Sequence, residues 1–335
     1  MKLDAALIGS LDTIGDRAAE MEAVGYDGLL SVEINHDPFF PLVAAAGRTE
    51  TVQLATGIAV AFARNPMLLA NIGWDLQAYS QGRFTMGLGS QIKPHITKRF
   101  SMPWSKPAAR MQDMIEAMHA IWDSWNNGER LQHRGEFYTH TLMTPMFDPG
   151  PNPYGNPRVS LAGVGPLMTK VAGRVADGFI SHAFQTPDYF RDVTMPALEE
   201  GLAERGRSRS DIEISMPLFV TSGTNEEDFE RRKQGNKQQI AFYGSTPAYK
   251  PVLDHHGWGD AHTDLNRMSK EGKWVEMADV IDDEILDAFS IVGEPGDVAP
   301  KLAERYAGLV DRVQFAYDDG GNEEWAAVGE EIRAI

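Results

Sequence analysis

Residues 52–88 read VQLATGIAVAFARNPMLLANIGWDLQAYSQGRFTMGL. A β-rich run, Val52–Ala61, is followed by a helix from Pro66 to Ser80 and then by a second short apolar run, Phe84–Leu88. Strand, helix, strand in that order joins two parallel strands through a helical crossover. The same unit repeats outward in both directions. Upstream, Leu3–Ile8 reads as a strand, Asp12 offers a helix N-cap, and Ile14, Ala18, Met21 and Val24 recur at helical spacing until Gly25 closes the helix. Gly28–Glu33 is the next strand. Downstream, Arg158–Leu161, Phe179–Ser181, Ile212–Val220 and Arg312–Phe315 bring the strand candidates to eight. Helical faces lie between them: Met111, Ile115, Met118 and Trp122; Met168, Val171, Ala172 and Val175; and Val298, Leu302 and Leu309 behind the cap Asp297. Eight alternating units predict an α/β fold, a (β/α)8 TIM barrel, since a barrel closes at that number and an open doubly wound sheet does not.

Two stretches exceed a minimal barrel. Residues 91–157 hold one helix and a loop dense in Pro and Gly, and residues 236–288 hold Trp258, Trp274, three His and many carboxylates. These insertions follow strands 4 and 7, at the C-terminal ends where barrel active sites are built, and serve either as lids or substrate walls or as simple elaboration or a dimer contact. No repeat or linker divides the chain, so residues 1–335 are expected to form a single domain.

The net charge of −17 and pI near 4.9 argue against a nucleic-acid partner, which calls for a basic face, and against docking on anionic lipid. An anionic ligand must then be held by local backbone N–H groups and a few placed cations. The chain has no cysteine, which excludes disulfides, thiolate nucleophiles and Cys-ligated metals, and fits a reducing cytoplasm. No apolar run approaches the ~18 residues of a membrane span, and Asp4 falls where a signal peptide needs its hydrophobic stretch.

Four segments at strand ends can carry chemistry. The first is Glu33-Ile34-Asn35-His36-Asp37, where a carboxylate and an imidazole on one loop can form an acid–base pair, or Asp37 can simply cap the next helix. Metal ligation with His255, His256 or His262 lacks the helical ligand spacing it needs. The second is Ala55–Ala61, where Gly57 within a β-rich run marks a bulge or a place for a ligand to approach the backbone. The third, Met86–His95, offers Ser90 and glycines as donors, with Lys93, Lys98 and Arg99 as local positive charge; it is neither a P-loop nor G-x-G-x-x-G. The fourth, Leu161–Lys170, runs from a strand through Gly163 and Gly165 into a helix opened by Pro166, which is either a ready anion site at a helix N-terminus or a generic α/β turn.

Together these segments resemble the bacterial luciferase-like superfamily of flavin- and deazaflavin-dependent oxidoreductases. The likeness spans nearly the whole chain: the acidic/His loop, Thr56-Gly57-Ile58-Ala59, Arg64-Asn65-Pro66, Gln81-Gly82-Arg83-Phe84 leading to Gly87-Leu88-Gly89, Ala172–Gly178, and Ile291-Val292-Gly293-Glu294-Pro295. The resemblance implies the barrel fold with an insertion before the last strand. It also implies hydride transfer between the deazaflavin coenzyme F420 and a small organic substrate, an alcohol, carbonyl compound or enone. Members using F420 commonly carry a non-prolyl cis peptide in strand 3, which by position is Gly57–Ile58 here. Implied cofactor contacts are Glu33, Gly57, Ile58, Val60, Ser90, Gln91, His95, Gly163, Val164, Gly165, Pro166, Leu167 and Met168. Ile34 stands where some relatives place a catalytic His, so His36, with Glu33, takes the expected acid–base role. No metal is implied, and the family usually forms homodimers, for which Phe39–Ala46 and the helix around Trp74 are candidate faces. The rival reading is an FMN-dependent monooxygenase that uses O2 and a reductase partner. A metal-dependent barrel hydrolase is disfavoured because strand 1 ends in Ile8-Gly9-Ser10, without a ligand. A non-catalytic sensor with the same fold would bind cofactor without turnover.

Overall fold

The computed structural model describes residues 1–316 and 323–335. Eight parallel strands close a barrel: β1 (Lys2–Ala6), β2 (Gly28–Ser31), β3 (Gln53–Thr56), β4 (Phe84–Gly89), β5 (Arg158–Ala162), β6 (Gly178–Ile180), β7 (Glu213–Thr221) and β8 (Arg312–Phe315). Each pairs with the next in chain order, and β8 returns to β1 with Val313 opposite Leu3. Every strand anticipated from sequence is present, and all but the one expected over Val52–Ala61 lie within a residue or two of their expected ends.

Alternation along each strand sets two environments. Leu3, Leu29, Leu54, Met86, Val159, Phe179, Ile214 and Val313 face outward and are buried against the surrounding helices in one apolar cluster. The alternate set faces the lumen and is small or polar: Ala6, Gly28, Ala55, Thr85, Ser160 and Ser215. A barrel usually fills its lumen with layers of branched side chains. These residues are too small to do so, and the lumen stays open. Its floor is closed by Arg312, whose Nε donates to Asp4 Oδ2 at 2.7 Å while its other nitrogens reach Asp4 Oδ1 and Gln53 Oε1. Gly28 has to lack a side chain, because a Cβ there would stand 2.5 Å from the Arg312 guanidinium.

Two details differ from the sequence reading. The run Val52–Ala61 is not one strand: β3 stops at Thr56 and extended pairing resumes at Ala59–Val60, opposite Leu88–Gly89. The interrupted bond, Gly57–Ile58, is cis. In addition, Ser290–Val292 is a ninth parallel strand outside the ring, paired with Phe219–Thr221, because β7 is nine residues long and rises above its neighbours.

Between β4 and β5, the chain forms the helix Pro107–Asn127 and a small hairpin, His133–Arg134 against Thr139–His140. Asp113 pins that hairpin, accepting the Phe137 and Tyr138 N–H groups and facing His133 at 2.7 Å. After β7, the helices Lys250–His255, Gly259–Lys270 and Asp283–Phe289 share an apolar cluster of their own with Phe184 and Phe219, above the C-terminal ends of β6 and β7. Among the described residues, no helix is long and apolar enough to cross a membrane.

Candidate active site

The lumen opens at the C-terminal face as a cavity of about 330 Å³, within the range of small-molecule sites. Its walls are mostly apolar, from Ile8, Leu30, Val32, Ile34, Ala55, Gly57, Ile180, Ala183, Pro217 and Ala316. The charged residues that line it, Asp4, Glu213 and Arg312, lie at the floor and face one another.

After β2, Glu33 is nearly buried and held through one carboxylate oxygen. Its Oε2 accepts the Val60 N–H at 2.7 Å and the Arg64 guanidinium at 2.7 Å. Arg64 also donates to Asp37 Oδ2 at 2.9 Å and to the Val60 carbonyl at 3.1 Å, with its guanidinium over the Phe39 ring. Glu33 is thereby tied to the segment just past the cis bond, 27 residues away in the chain. Asp37 accepts the Phe39 N–H at 2.9 Å from the position before Pro38, which itself occupies the N-cap of the helix. His36 projects from the exposed loop and is absent from the cavity wall.

The next walls follow from strand register. Val60 pairs with Gly89, and Leu88 pairs with Leu161, so Val60, Ser90 and Gly163 stand at the C-terminal edges of three adjacent strands. The close approach needs glycine: a Cβ on Gly87 would sit 1.9 Å from the Thr56 carbonyl oxygen, and one on Gly89 would strike Ile58. Gln91 takes a left-handed conformation, φ 56°, and its Oε1 accepts the Ile92 N–H. His95 opens a short π-helical turn, His95–Arg99, and is exposed. Arg99 donates to the Ile34 carbonyl, joining this loop to the one after β2. After β5, Gly165 is the extended N-cap of the helix Pro166–Val175, and no side chain caps it. Gly165, Pro166 and Leu167 are exposed, and a Cβ on Gly165 would meet nothing within 4 Å. Leu167 and Met168 line an apolar cleft against Lys106–Ala109. A helix N-terminus left open in this way suits an anion such as a phosphate. Of the site residues anticipated from sequence, Gly57 lines the cavity; Glu33, Val60, Ser90 and Gly163 follow the ends of the adjacent strands β2 to β5, Gly165–Met168 border a separate cleft, and His36 stands on the exposed loop.

The opposite rim was not anticipated. His182, two residues past β6, lines the cavity with Tyr243, and its Nδ1 accepts the Phe184 N–H at 3.0 Å. Its Nε2 lies 3.1 Å from the Tyr249 hydroxyl, whose ring stacks on the imidazole at 4.7 Å. Tyr243 meets the same imidazole edge-on at 4.6 Å. Burial lowers the His182 pKa to about 4, so the ring is neutral at physiological pH, and burial pushes Tyr249 up to about 12. The one signal in the sequence was a His directly after a barrel strand; Tyr243 and Tyr249 come from the second insertion, more than 60 residues later. The remaining insertion histidines are engaged elsewhere, His262 with the Gly244 carbonyl, His256 with Thr186 and His255 with Asp192. Among the described residues, no group of three His or carboxylates is placed to hold a metal ion.

Comparison with known proteins adds a frame to this geometry. The family model for luciferase-like monooxygenases matches residues 3–312. An uncharacterized protein of Mycobacterium tuberculosis is 50% identical over 313 residues, 93% of this chain and 92% of its own. The 5,10-methylenetetrahydromethanopterin reductase of Archaeoglobus fulgidus is 25% identical over 295 residues, covering 86% and 83%. Among solved structures, the coenzyme F420-dependent tetrahydromethanopterin reductase from Methanopyrus kandleri superposes with a TM-score of 0.80 at 21% identity, over 100% of this chain and 98% of that one. The EDTA monooxygenase of Chelativorans superposes at 0.76 with 17% identity, over 100% and 93%.

Proposed function

The chain belongs to the luciferase-like monooxygenase family, and on that premise we propose that it is an oxidoreductase moving a hydride between coenzyme F420 and a small organic substrate, an alcohol, carbonyl compound or enone. The observation that carries this reading is the succession of adjacent strand ends from β2 to β5. It joins an apolar bed at Gly57 and Ile58 to cations after β4 and to the uncapped helix at Gly165. The likeness to an F420-dependent glucose-6-phosphate dehydrogenase of Intrasporangium calvum, 24% identical over 308 residues, supports the choice of deazaflavin. So do Lys93 and Lys98, which are exposed and have no acidic partner among the described residues, and therefore suit an acidic tail. Similarity to the EDTA monooxygenase keeps an FMN-dependent oxygenase as the second reading.

When bound, F420 supplies a two-electron hydride carrier that reacts poorly with O2. The chain's own residues do the rest. Glu33 and Arg64 hold Val60, and with it the bed beneath the ring, so Glu33 acts as a positioning residue and not as a proton shuttle. Gly165 and Leu167 offer main-chain N–H groups to phosphate. Ser90, Gln91 and His95 border the path between them, and Gly163, Val164, Pro166 and Met168 shape its far end. His36 reaches a ligand from the solvent side of the rim. The helices after β7 cover β6 and β7 and exclude water from the cavity. We further propose a homodimer through Phe40 and Val43, exposed one turn apart on the helix Phe39–Ala46; Trp74, by contrast, is buried against Trp125 and takes no part. Size measurement in solution checks the dimer. Fluorescence titration of apo-protein checks the cofactor: micromolar F420 binding with FMN ignored supports the deazaflavin reading, and tight FMN binding in its place overturns it.

A further inference from the structure

Three adjacent strands of the lumen change character in the same order from floor to mouth. Along β7 the cavity meets Glu213, then Ser215, then Pro217; along β8 it meets Arg312, Gln314 and Ala316. On β1 the order is Asp4, Ala6 and Ile8. A charged floor thus gives way to small or neutral polar side chains at mid-depth, and these to apolar ones at the mouth. Across the barrel, Thr85 of β4 and Ser160 of β5 add two more hydroxyls that line the cavity. Thr85, Ser160, Ser215 and Gln314 are all half-buried, and none of their side chains has a hydrogen-bond partner among the described residues. Thr56 shows the contrast: it lines the same cavity, but its hydroxyl is spent on the Gly87 carbonyl at 2.7 Å.

Uncommitted hydroxyls and an amide facing a cavity hydrogen-bond whatever polar group reaches their depth, and disfavour a ligand that leaves them unpaired. The floor decides the charge of that group. Arg312 is already held by Asp4 and Gln53, with Glu213 nearby, so an anion would find carboxylates below it and no cation to spare. Asp4 is bound by Arg312, and Glu213 is shared among Lys2, Arg158 and Arg312, so an ammonium would find no free carboxylate either. A neutral group is the one that matches. From Ala6 to Ile8 the chain advances by about 5–6 Å along the barrel axis, the reach of about four carbon–carbon bonds.

Resting on the hydride-transfer reading, we propose that the lumen is the specificity pocket for a neutral, short-chain substrate with two polar ends. The reacting alcohol or carbonyl carbon stays at the mouth, where Gly57 lines the cavity. An apolar spacer of about four carbons passes Ile8, Pro217 and Ala316. A second, uncharged group, a hydroxyl or carboxamide, is held at mid-depth by Ser215 and Gln314, with Ser160 and Thr85 across from them.

Three probes on one carbon skeleton test this: 1,5-hexanediol, 2-heptanol, which puts a methyl in place of the far hydroxyl, and 5-hydroxyhexanoate, which puts a carboxylate there. Their dissociation constants are read by ligand-detected NMR on the protein with and without F420. The wild type is expected to bind the diol roughly tenfold tighter than 2-heptanol, and not to bind the carboxylate. Ser215→Ala and Gln314→Leu are each expected to weaken the diol roughly three- to tenfold and to leave 2-heptanol as tight or tighter. The two variants lie on different strands, so a folding fault in one leaves the other to judge. Equal affinity for diol and 2-heptanol, a diol affinity that neither variant moves, binding of 5-hydroxyhexanoate, or a wild type that binds none of the probes overturns the assignment. Discrimination that persists while F420 fails to bind, or while no probe is oxidised, sinks the hydride-transfer reading and leaves the pocket standing.

Discussion

The two rims of the barrel mouth solve opposite electrostatic problems. From β2 to β5, charges are present and are either locked together, as in Glu33–Arg64–Asp37, or left exposed, as at Lys93 and Lys98. From β6 to β7, the titratable groups are aromatic, desolvated and neutral: His182 with its pKa near 4 and Tyr249 with its pKa near 12. The comparison teaches a division of labour. A charged rim suits a large anionic cofactor, and a neutral rim suits a small uncharged substrate.

The comparison can be broken most severely at the clamp. Arg64→Ala leaves a nearly buried Glu33 without its cation and is expected to cost about 3 kcal/mol, read by denaturant unfolding, with weaker F420 binding alongside. Glu33→Gln removes the charge with the amide in place and should cost less. On the neutral rim the expected effect is a pH dependence. The folded pKa of His182 lies below its unfolded value of 6.5, so the unfolded chain binds more protons between those limits. Its contribution to stability is present above pH 6.5 and is lost as pH falls toward 4. Between pH 7 and 5 the wild type should lose about 2 kcal/mol more than His182→Gln does. Gly87→Ala forces a methyl against the Thr56 carbonyl and should cost about 1–3 kcal/mol while displacing the bed beneath the cofactor. The smallest effect belongs to the exposed cations. Lys98→Gln should weaken F420 binding only a few-fold at low salt, and the difference should vanish at high salt.

The sequence made the barrel legible because periodicity is local. All eight strands and the charged rim lie in segments whose alternation and turn residues can be read one at a time. The cis bond at Gly57–Ile58 was expected from resemblance, but the break in pairing around it was not, since an apolar run looks continuous whether or not its pairing is. The strand Ser290–Val292 was missed because three residues carry no period, and its pairing depends on how far β7 overshoots the ring. Glu33 was legible as a site residue, but its partners Val60 and Arg64 come from across the β2–β3 crossover, so its commitment to a clamp was not. The neutral rim was hidden for the same reason on a larger scale. His182 is an isolated imidazole in the sequence, and only folding of the second insertion brings Tyr243 and Tyr249 around it.

The most direct test is a crystal structure of this chain with F420 bound. The account predicts the deazaflavin ring on Gly57 and Ile58, its phosphate at the Gly165 helix N-terminus, and an open space between the ring and His182. A ring lying against His182 and Tyr243, with the strand ends from β2 to β5 vacant, would contradict the division of the mouth on which the proposed reaction rests.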